Sequence, residues 1–307
     1  MINGITHDNL GIFIKDCPDE MLDNADEVYI CPSFGCNLNC PHCTLKNIRN
    51  EGDIEAIINS IKTIKEHNPK VSFTLFGGEP SLLSDDVLKR IREAIGDCDY
   101  SVSTNLIKFT DTFLDVLKES DLPDTSWNPQ RFHSQQLYDQ WFKNVEVLKE
   151  NNIKFEIMIT LTKDLIELDP QKLIDKVLEW GVKYIKLEFM IGDESLNPEE
   201  VDEWLVRLYH LWNSNEQLKD YESILFTRLR DVAFNGVQWE GNCDNTLTIL
   251  PSGYIKERCP YYECSIEKQE CLNCEYYQYC KGGCPLQVKC VFPKKLFNLI
   301  MEERNAE

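Results

Sequence analysis

Three cysteines fall within one short run, Cys36-Asn37-Leu38-Asn39-Cys40-Pro41-His42-Cys43. Three thiolates on one tight loop can hold three irons of a [4Fe–4S] cube and leave the fourth iron open to a substrate or cofactor. Zinc is the competing occupant. Zinc loops usually pair two Cys-x2-Cys steps, and this triplet has no fourth ligand nearby. A second group, Cys243, Cys259, Cys264, Cys271, Cys274, Cys280, Cys284 and Cys290, crowds the C-terminal end. Its core, Cys271-x2-Cys274-x5-Cys280-x3-Cys284, has metal-binding density and suits either iron–sulfur clusters or zinc ribbons. Cys17, Cys31 and Cys98 lack such spacing and read as ordinary thiols. His7, His67, His133 and His210 have no partner spacing either.

The thiol loops need a scaffold, and the cysteine-free middle supplies one. Strand-type runs at 27–31, 71–76, 100–104, 123–127, 153–162 and 184–191 alternate with helix-type runs. The helical runs cover 53–68, 84–95, 110–120, 134–150, 171–180 and 198–212, with apolar residues at helical spacing. Asp53 is placed to cap the first of them, and Gly96 and Gly181 to stop two others. Six β-then-α units imply a parallel sheet with right-handed crossovers. Six are too few for an eight-stranded barrel, so the expected fold is α/β, a partial (β/α)6 TIM-like barrel. The 153–162 run puts Phe155, Ile157, Ile159 and Leu161 on one face and Lys154, Glu156, Met158, Thr160 and Thr162 on the other. The 184–191 run sets Ile185, Leu187, Phe189 and Ile191 against Tyr184, Lys186, Glu188 and Met190. One apolar and one mixed face suit a polar barrel lumen, whereas a flat parallel sheet is apolar on both faces. Structural Lys–Glu pairing is the other reading of Lys154, Glu156 and Lys186. Glu188 and Met190 lie toward the C-terminal strand end, where barrel sites sit.

The chain has 307 residues and a formal charge of −20. Its length fits one large domain with a small appendage. We read an N-terminal extension (1–26), the barrel (27–212), a bridging region (213–242) and the cysteine-rich module (243–307). The charge argues against tracking nucleic-acid phosphates. No apolar run is long enough to span a membrane, and no signal peptide opens the chain. A cytoplasmic location is therefore expected, and thiols kept reduced there serve metals rather than disulfides.

The thiol triplet resembles the signature of the radical S-adenosylmethionine (SAM) superfamily, with His42 in the aromatic slot before the last cysteine. The resemblance continues in order along the barrel. Gly77-Gly78-Glu79-Pro80, after the second strand, looks like the family segment that receives the methionyl ammonium of SAM. Ser103-Thr104-Asn105 resembles the ribose-contacting segment. Ser126-Trp127-Asn128 occupies the place of a Ser-x-Asp, with Asn128 departing from the pattern. Thr160 and Met190 end the fifth and sixth strands, near where the family reaches the cofactor. The tail, with Gly282-Gly283-Cys284-Pro285, resembles the SPASM extension, which holds two auxiliary [4Fe–4S] clusters. The resemblance implies Cys271, Cys274, Cys280 and Cys290 for one cluster and Cys243, Cys259 and Cys284 for the other. Cys264 is the substitute for an upstream fourth ligand that is missing here; if it does not reach, that cluster has an open iron. Segments 246–251 and 254–256 would form a small hairpin.

The resemblance implies three [4Fe–4S] clusters and SAM, whose one-electron cleavage yields a 5′-deoxyadenosyl radical that abstracts a substrate hydrogen. An external one-electron donor such as flavodoxin or ferredoxin would supply the electron. The leading expectation is modification of a ribosomally made peptide by a crosslink, thioether or side-chain oxidation. Only some 26 residues precede the first strand, so leader binding would fall to a separate protein or the barrel surface. The alternatives are a dehydrogenase of an alcohol or thiol, on a small molecule or a sulfatase-type protein, and a non-enzymatic Fe–S or zinc scaffold. Glu188, Asp193 and Asp244 are the candidate bases.

Overall fold

The computed structural model describes residues 17–43, 52–190, 196–239, 245–257, 271–284 and 289–306. In chain order the elements begin α1 (Asp19–Asp23), β1 (Glu27–Ile30), α2 (Ile54–His67), β2 (Ser72–Leu75), α3 (Asp85–Ile95), β3 (Tyr100–Thr104) and α4 (Asp111–Glu119). There follow β4 (Asp124–Trp127), α5 (Gln135–Glu150), β5 (Glu156–Leu161), α6 (Lys163–Ile166), α7 (Pro170–Trp180) and β6 (Tyr184–Phe189). The last are α8 (Pro198–Ser214), β7 (Glu222–Ser223), α9 (Ile224–Asn235), β8 (Thr246–Ile249), β9 (Ile255–Glu257), α10 (Tyr277–Cys280) and α11 (Lys294–Ala306). The alternation expected from the sequence is the one observed. Among the described residues no helix is long and apolar enough to cross a membrane.

The chain forms two compact units. The first comprises 1–125, 131–155 and 242–262. Its strands run in the order β4-β3-β2-β1-β8-β9. β1 pairs in parallel with β2 on one side, Ile30 opposite Leu75, and with β8 on the other, Ile30 opposite Ile249. β9 turns back antiparallel on β8. The expected hairpin is therefore present, and its first arm also extends the parallel sheet. All four residues of β8 are buried, Thr248 completely. The helices start where short polar side chains can satisfy the first N–H groups. Asp53, Ser84, Thr110 and Ser134 accept from Ala56, Val87, Phe113 and Leu137.

The second unit comprises 126–130, 156–241 and 263–307. β5 and β6 pair in parallel from Glu156–Tyr184 to Leu161–Phe189, and β7 joins β6. Burial alternates from Ile157 to Leu161 in β5 and from Tyr184 to Glu188 in β6, as the two-faced sequence pattern requires, but Glu156 is buried and Phe189 only half-buried. The strand expected from Ile153 begins only at Glu156. The cause is the end of α5: Asn152 takes a left-handed turn (φ 56°), and the Ile153 N–H donates back to the Leu148 carbonyl at 3.0 Å. That spends the N–H before pairing starts and leaves Lys154 exposed rather than in the lumen. The 213–242 stretch, read as a bridge, carries α9. The C-terminal helix α11 is capped from α8: the Asp202 carboxylate accepts the Lys295 and Leu296 N–H groups at 2.7 and 3.1 Å.

Candidate functional site

In the first unit, the chain leaving β1 runs through Cys36, Cys40 and Cys43. Cys40 is buried, while Cys36 and Cys43 are exposed. This loop hangs on the backbone that follows β2. Phe76, Gly78 and Glu79 donate N–H bonds to the carbonyls of Ile30, Ser33 and Gly35 at 2.8, 2.8 and 2.9 Å. Only glycines permit the approach. Gly77 sits at φ 125°, where a Cβ would come within 2.6 Å of the Ser33 oxygen, and a Cβ on Gly78 would fall on the Gly35 carbonyl.

Glu79 is 3% exposed, and its carboxylate is fully engaged. One oxygen accepts the Ser81 N–H at 3.0 Å and the Thr104 hydroxyl at 2.6 Å; the other accepts the Asn105 N–H at 2.6 Å. Pro80 is buried at the start of the turn that Glu79 caps. Asn105, thus fixed, donates its side-chain amide to Asn37 Oδ1 at 2.7 Å and to Cys36 Sγ at 3.5 Å. The Leu38 N–H reaches the same sulfur at 3.4 Å. Loss of water pushes the Cys36 thiol above its ordinary pKa; the Leu38 N–H opposes this, the Glu79 charge adds to it, and the Asn105 amide opposes it. Gly77, Gly78, Glu79, Asn105 and Cys36 are therefore one connected network. His42 is half-buried, and the Ser103 hydroxyl donates to Asp124 at 2.8 Å.

In the second unit, Ser126 is half-exposed and Asn128 is 2% exposed. The Asn128 amide donates to the Thr160 carbonyl at 2.9 Å and lies 3.2 Å from the Thr162 hydroxyl. The departure from aspartate has a physical reason here, because a carboxylate has no hydrogen to offer that carbonyl. Glu188 is half-exposed and pairs with Lys186 at 3.1 Å; Lys186 also lies 3.9 Å from buried Glu156. Met190 lines a small cavity with Leu196, Asp202 and Lys289. Asp193 and Asp244 lie outside the described residues.

Also in the second unit, Cys271, Cys274, Cys280, Cys284 and Cys290 line one cavity of about 240 Å³. Tight local turns bring them there. The Cys274 N–H donates to Cys271 and the Tyr277 N–H to Cys274, each at 3.0 Å. After α10, Lys281, Gly282 and Gly283 all have positive φ (49°, 90° and 64°), which swings the chain from Cys280 to Cys284. Aromatic rings close the wall, with Phe292 against Trp239 at 5.4 Å and against Tyr276 at 5.7 Å. Burial pushes the Cys280 thiol up; the Gly282 N–H opposes it, and the neighbouring cysteine charges add to it. Cys284, expected with the other ligand set, shares this cavity. Cys243, Cys259 and Cys264 lie outside the described residues. Among the described residues no three His, Cys, Asp or Glu side chains converge on a single-ion position. Trp239 and Lys294 also line the cavity. Neither was singled out from the sequence, where no spacing marks them.

Three thiols on a loop at the ends of parallel strands, braced by a glycine pair and a buried carboxylate, are donors of the kind that hold an iron–sulfur cluster. Residues 30–177 match the family model described as Radical SAM superfamily. Enzymes of this superfamily use a [4Fe–4S] cluster and SAM. The chain is 21% identical over 333 residues to a cysteine-type anaerobic sulfatase-maturating enzyme of Clostridium novyi (strain NT), covering 85% of this chain and 88% of that one. It is 22% identical over 334 residues to the radical SAM cyclopropyl synthase TigE of Paramaledivibacter caminithermalis, covering 88% and 69%. Among solved structures, native anSMEcpe with bound AdoMet and Cp18Cys peptide superposes with a TM-score of 0.72 at 18% identity, over 91% of this chain and 97% of that one. Streptococcus suis SuiB superposes with a TM-score of 0.60 at 18% identity, over 85% and 73%. The fold is the α/β partial barrel of radical SAM proteins, followed by a cysteine-rich C-terminal part.

Proposed function

We propose that this chain is a SPASM-type radical SAM enzyme that abstracts a hydrogen from a side chain of a peptide or protein substrate. The observation that carries this reading is the network from Gly77–Glu79 through Asn105 to Cys36, in a chain that also folds five cysteines around one cavity. Cys36, Cys40 and Cys43 would hold the SAM cluster. Cys271, Cys274, Cys280 and Cys290 would hold one auxiliary cluster, and Cys243, Cys259, Cys264 and Cys284 another. When bound, the SAM cluster and SAM supply a 5′-deoxyadenosyl radical for hydrogen abstraction. The protein's own part is to orient and exclude water. The backbone of Gly77 and Gly78, with His42, Pro80 and Ser103, would line the SAM site of the first unit; Ser126, Thr160 and Met190 of the second unit are SAM contacts only on the family resemblance. Glu79 fixes Asn105, and through it the Cys36 sulfur. Asn128 locks the strand ends at Thr160 and Thr162. Glu188, with Asp193 and Asp244, supplies the candidate base that takes the proton released as the substrate is oxidised.

The product is a crosslink, a thioether or an oxidised side chain. Similarity to a cysteine-type anaerobic sulfatase-maturating enzyme over 85% of this chain and 88% of that one supports, as the second reading, side-chain oxidation on a sulfatase-type substrate. A separate one-electron donor, and a separate leader-binding protein if the substrate has a leader, complete the system. The test is anaerobic reconstitution with iron, sulfide, SAM and dithionite. About twelve irons per chain, four per cube, and release of 5′-deoxyadenosine are expected. No 5′-deoxyadenosine from iron-replete protein would sink the enzyme reading. Mass spectrometry then separates the outcomes, using a sulfatase-type cysteine peptide against a short Cys- or Gly-rich precursor encoded nearby.

A further inference from the structure

Both side-chain hydrogens of Asn105 are spoken for. The residue is 3% exposed, and its backbone N–H is held by the Glu79 carboxylate at 2.6 Å. Its amide oxygen accepts the Ile107 N–H at 3.0 Å, which fixes the end of the amide that carries the hydrogens. That nitrogen has two to give. One goes to Asn37 Oδ1 at 2.7 Å and the other to Cys36 Sγ at 3.5 Å. Neither is left to offer a ribose, the contact that the family resemblance implied for this segment. The Leu38 N–H reaches the same sulfur at 3.4 Å. Two donors therefore converge on the first thiol of the loop, one from the loop itself and one from just beyond β3. A thiolate bound to iron keeps lone pairs on its sulfur, so both donors still have an acceptor when the loop is loaded.

We propose that Asn105 is a positioning residue for the SAM cluster, donating an amide hydrogen to the Cys36 sulfur and so raising the cluster's reduction potential. The inference rests on reading Cys36 as a ligand of that cluster. An N–H directed at a ligating sulfur stabilises the more negative, reduced cluster, and such hydrogen bonds are one of the main ways proteins set these potentials. No bond is made or broken: one electron passes from the external donor, and the amide makes it easier to accept. Glu79 acts one step further back, since its carboxylate fixes the backbone from which the amide reaches out. The Leu38 donor is backbone, so a substitution at 105 reads the side-chain share alone.

The experiment is a potentiometric EPR titration, without SAM, of the reconstituted full-length chain and of Asn105→Leu, which keeps the side chain's size and removes its donor. The midpoint of the SAM-cluster signal, identified by its loss in Cys40→Ser, should fall. Its reduced-to-oxidised ratio at the wild-type midpoint should drop several-fold; tenfold corresponds to about 59 mV for one electron. Asn105→Asp, which keeps the acceptor for Ile107 and adds a negative charge, should lower the midpoint further. Independently, wild-type protein labelled with side-chain-15N asparagine should show 15N coupling at that signal. The coupling should persist in Asn37→Asp, which keeps the acceptor and removes the neighbouring amide nitrogen. This second measurement needs no variant at 105. An unmoved midpoint, or no coupling, overturns the assignment; weaker SAM affinity with an unmoved midpoint places Asn105 on the ribose instead. If Cys36→Ser leaves the iron content unchanged, the loop holds no cluster through that thiol and the underlying reading fails.

Discussion

The two thiol sites are built by opposite means. The loop with Cys36, Cys40 and Cys43 is held by backbone: the carbonyls of Ile30, which ends β1, and of Ser33 and Gly35 beyond it receive N–H groups from just after β2, and two glycines let the chains touch. Two of its three cysteines are exposed. The tail cavity is folded by turns local in sequence and walled by side chains, with Trp239, Tyr276 and Phe292 around its thiols. A backbone-held, open loop can present an incompletely ligated metal to an incoming molecule. A cavity with five thiols offers a full set of ligands and an aromatic wall on one side, which suits an electron reservoir.

The largest test of this contrast removes one thiol from each. Cys40→Ser should abolish 5′-deoxyadenosine formation and lower the iron content by about four per chain. Cys280→Ser should lose a similar amount of iron and still cleave SAM, with product formation lost. Equal loss of SAM cleavage in both would erase the distinction. Next in size, Gly78→Ala forces a Cβ onto the Gly35 carbonyl. Overpacking costs roughly 1–3 kcal/mol. Thermal unfolding should register it together with weaker loading of the Cys36 loop, while the spectrum of the tail cluster stays unchanged.

Asn128→Asp comes third. It replaces the donor to the Thr160 carbonyl with a carboxylate, at about 1–3 kcal/mol for the mismatch. Chemical denaturation should detect this as a lower midpoint. A variant as stable as wild type would show that the amide does not brace the strand ends.

The smallest effect concerns Cys31, which directly follows β1 but belongs to neither thiol group. Burial pushes its thiol up to about 12, with Lys256 pulling the other way. The unfolded chain would lose that proton near pH 9, whereas the folded chain keeps it. Its contribution is therefore complete below pH 9 and is lost as pH rises toward 12. In the window above pH 9 it changes by about 1.4 kcal/mol per pH unit. Cys31→Ala should flatten alkaline destabilisation by that slope in denaturant titrations at pH 9 and 10. An unchanged slope would mean the thiol ionises in the folded protein.

Local signals carried most of the barrel. Alternation in β5 and β6, helical apolar spacing, and the capping residues Asp53, Ser84, Thr110 and Ser134 are short-range features, so the sequence displays them directly. The seat of β8 was not legible. Thr-Leu-Thr-Ile reads as a half-buried hairpin arm, and its burial on both faces depends on a partner far away in sequence. Nor did any motif point to Trp239, because a place on a cavity wall is a property of its surroundings. Within the candidate site, the family resemblance suggested that Glu79, Asn105 and Cys36 belong together. Spacing alone could not reveal that Glu79 reaches the thiol by way of Asn105 rather than standing free.

The pairing of β1 with β8 also sets a clock. Asp26 and Asn245, hydrogen-bonded across that junction, are 219 residues apart. At about 5–20 residues per second of synthesis, the far edge of β1 waits roughly ten to forty seconds for its neighbour. Until then the strand bearing the first thiol loop is an open edge, a template for mispairing with other chains. Iron delivered to that loop during this interval would meet a sheet still paired on one side, so maturation of the metal site is best timed to follow completion of the polypeptide.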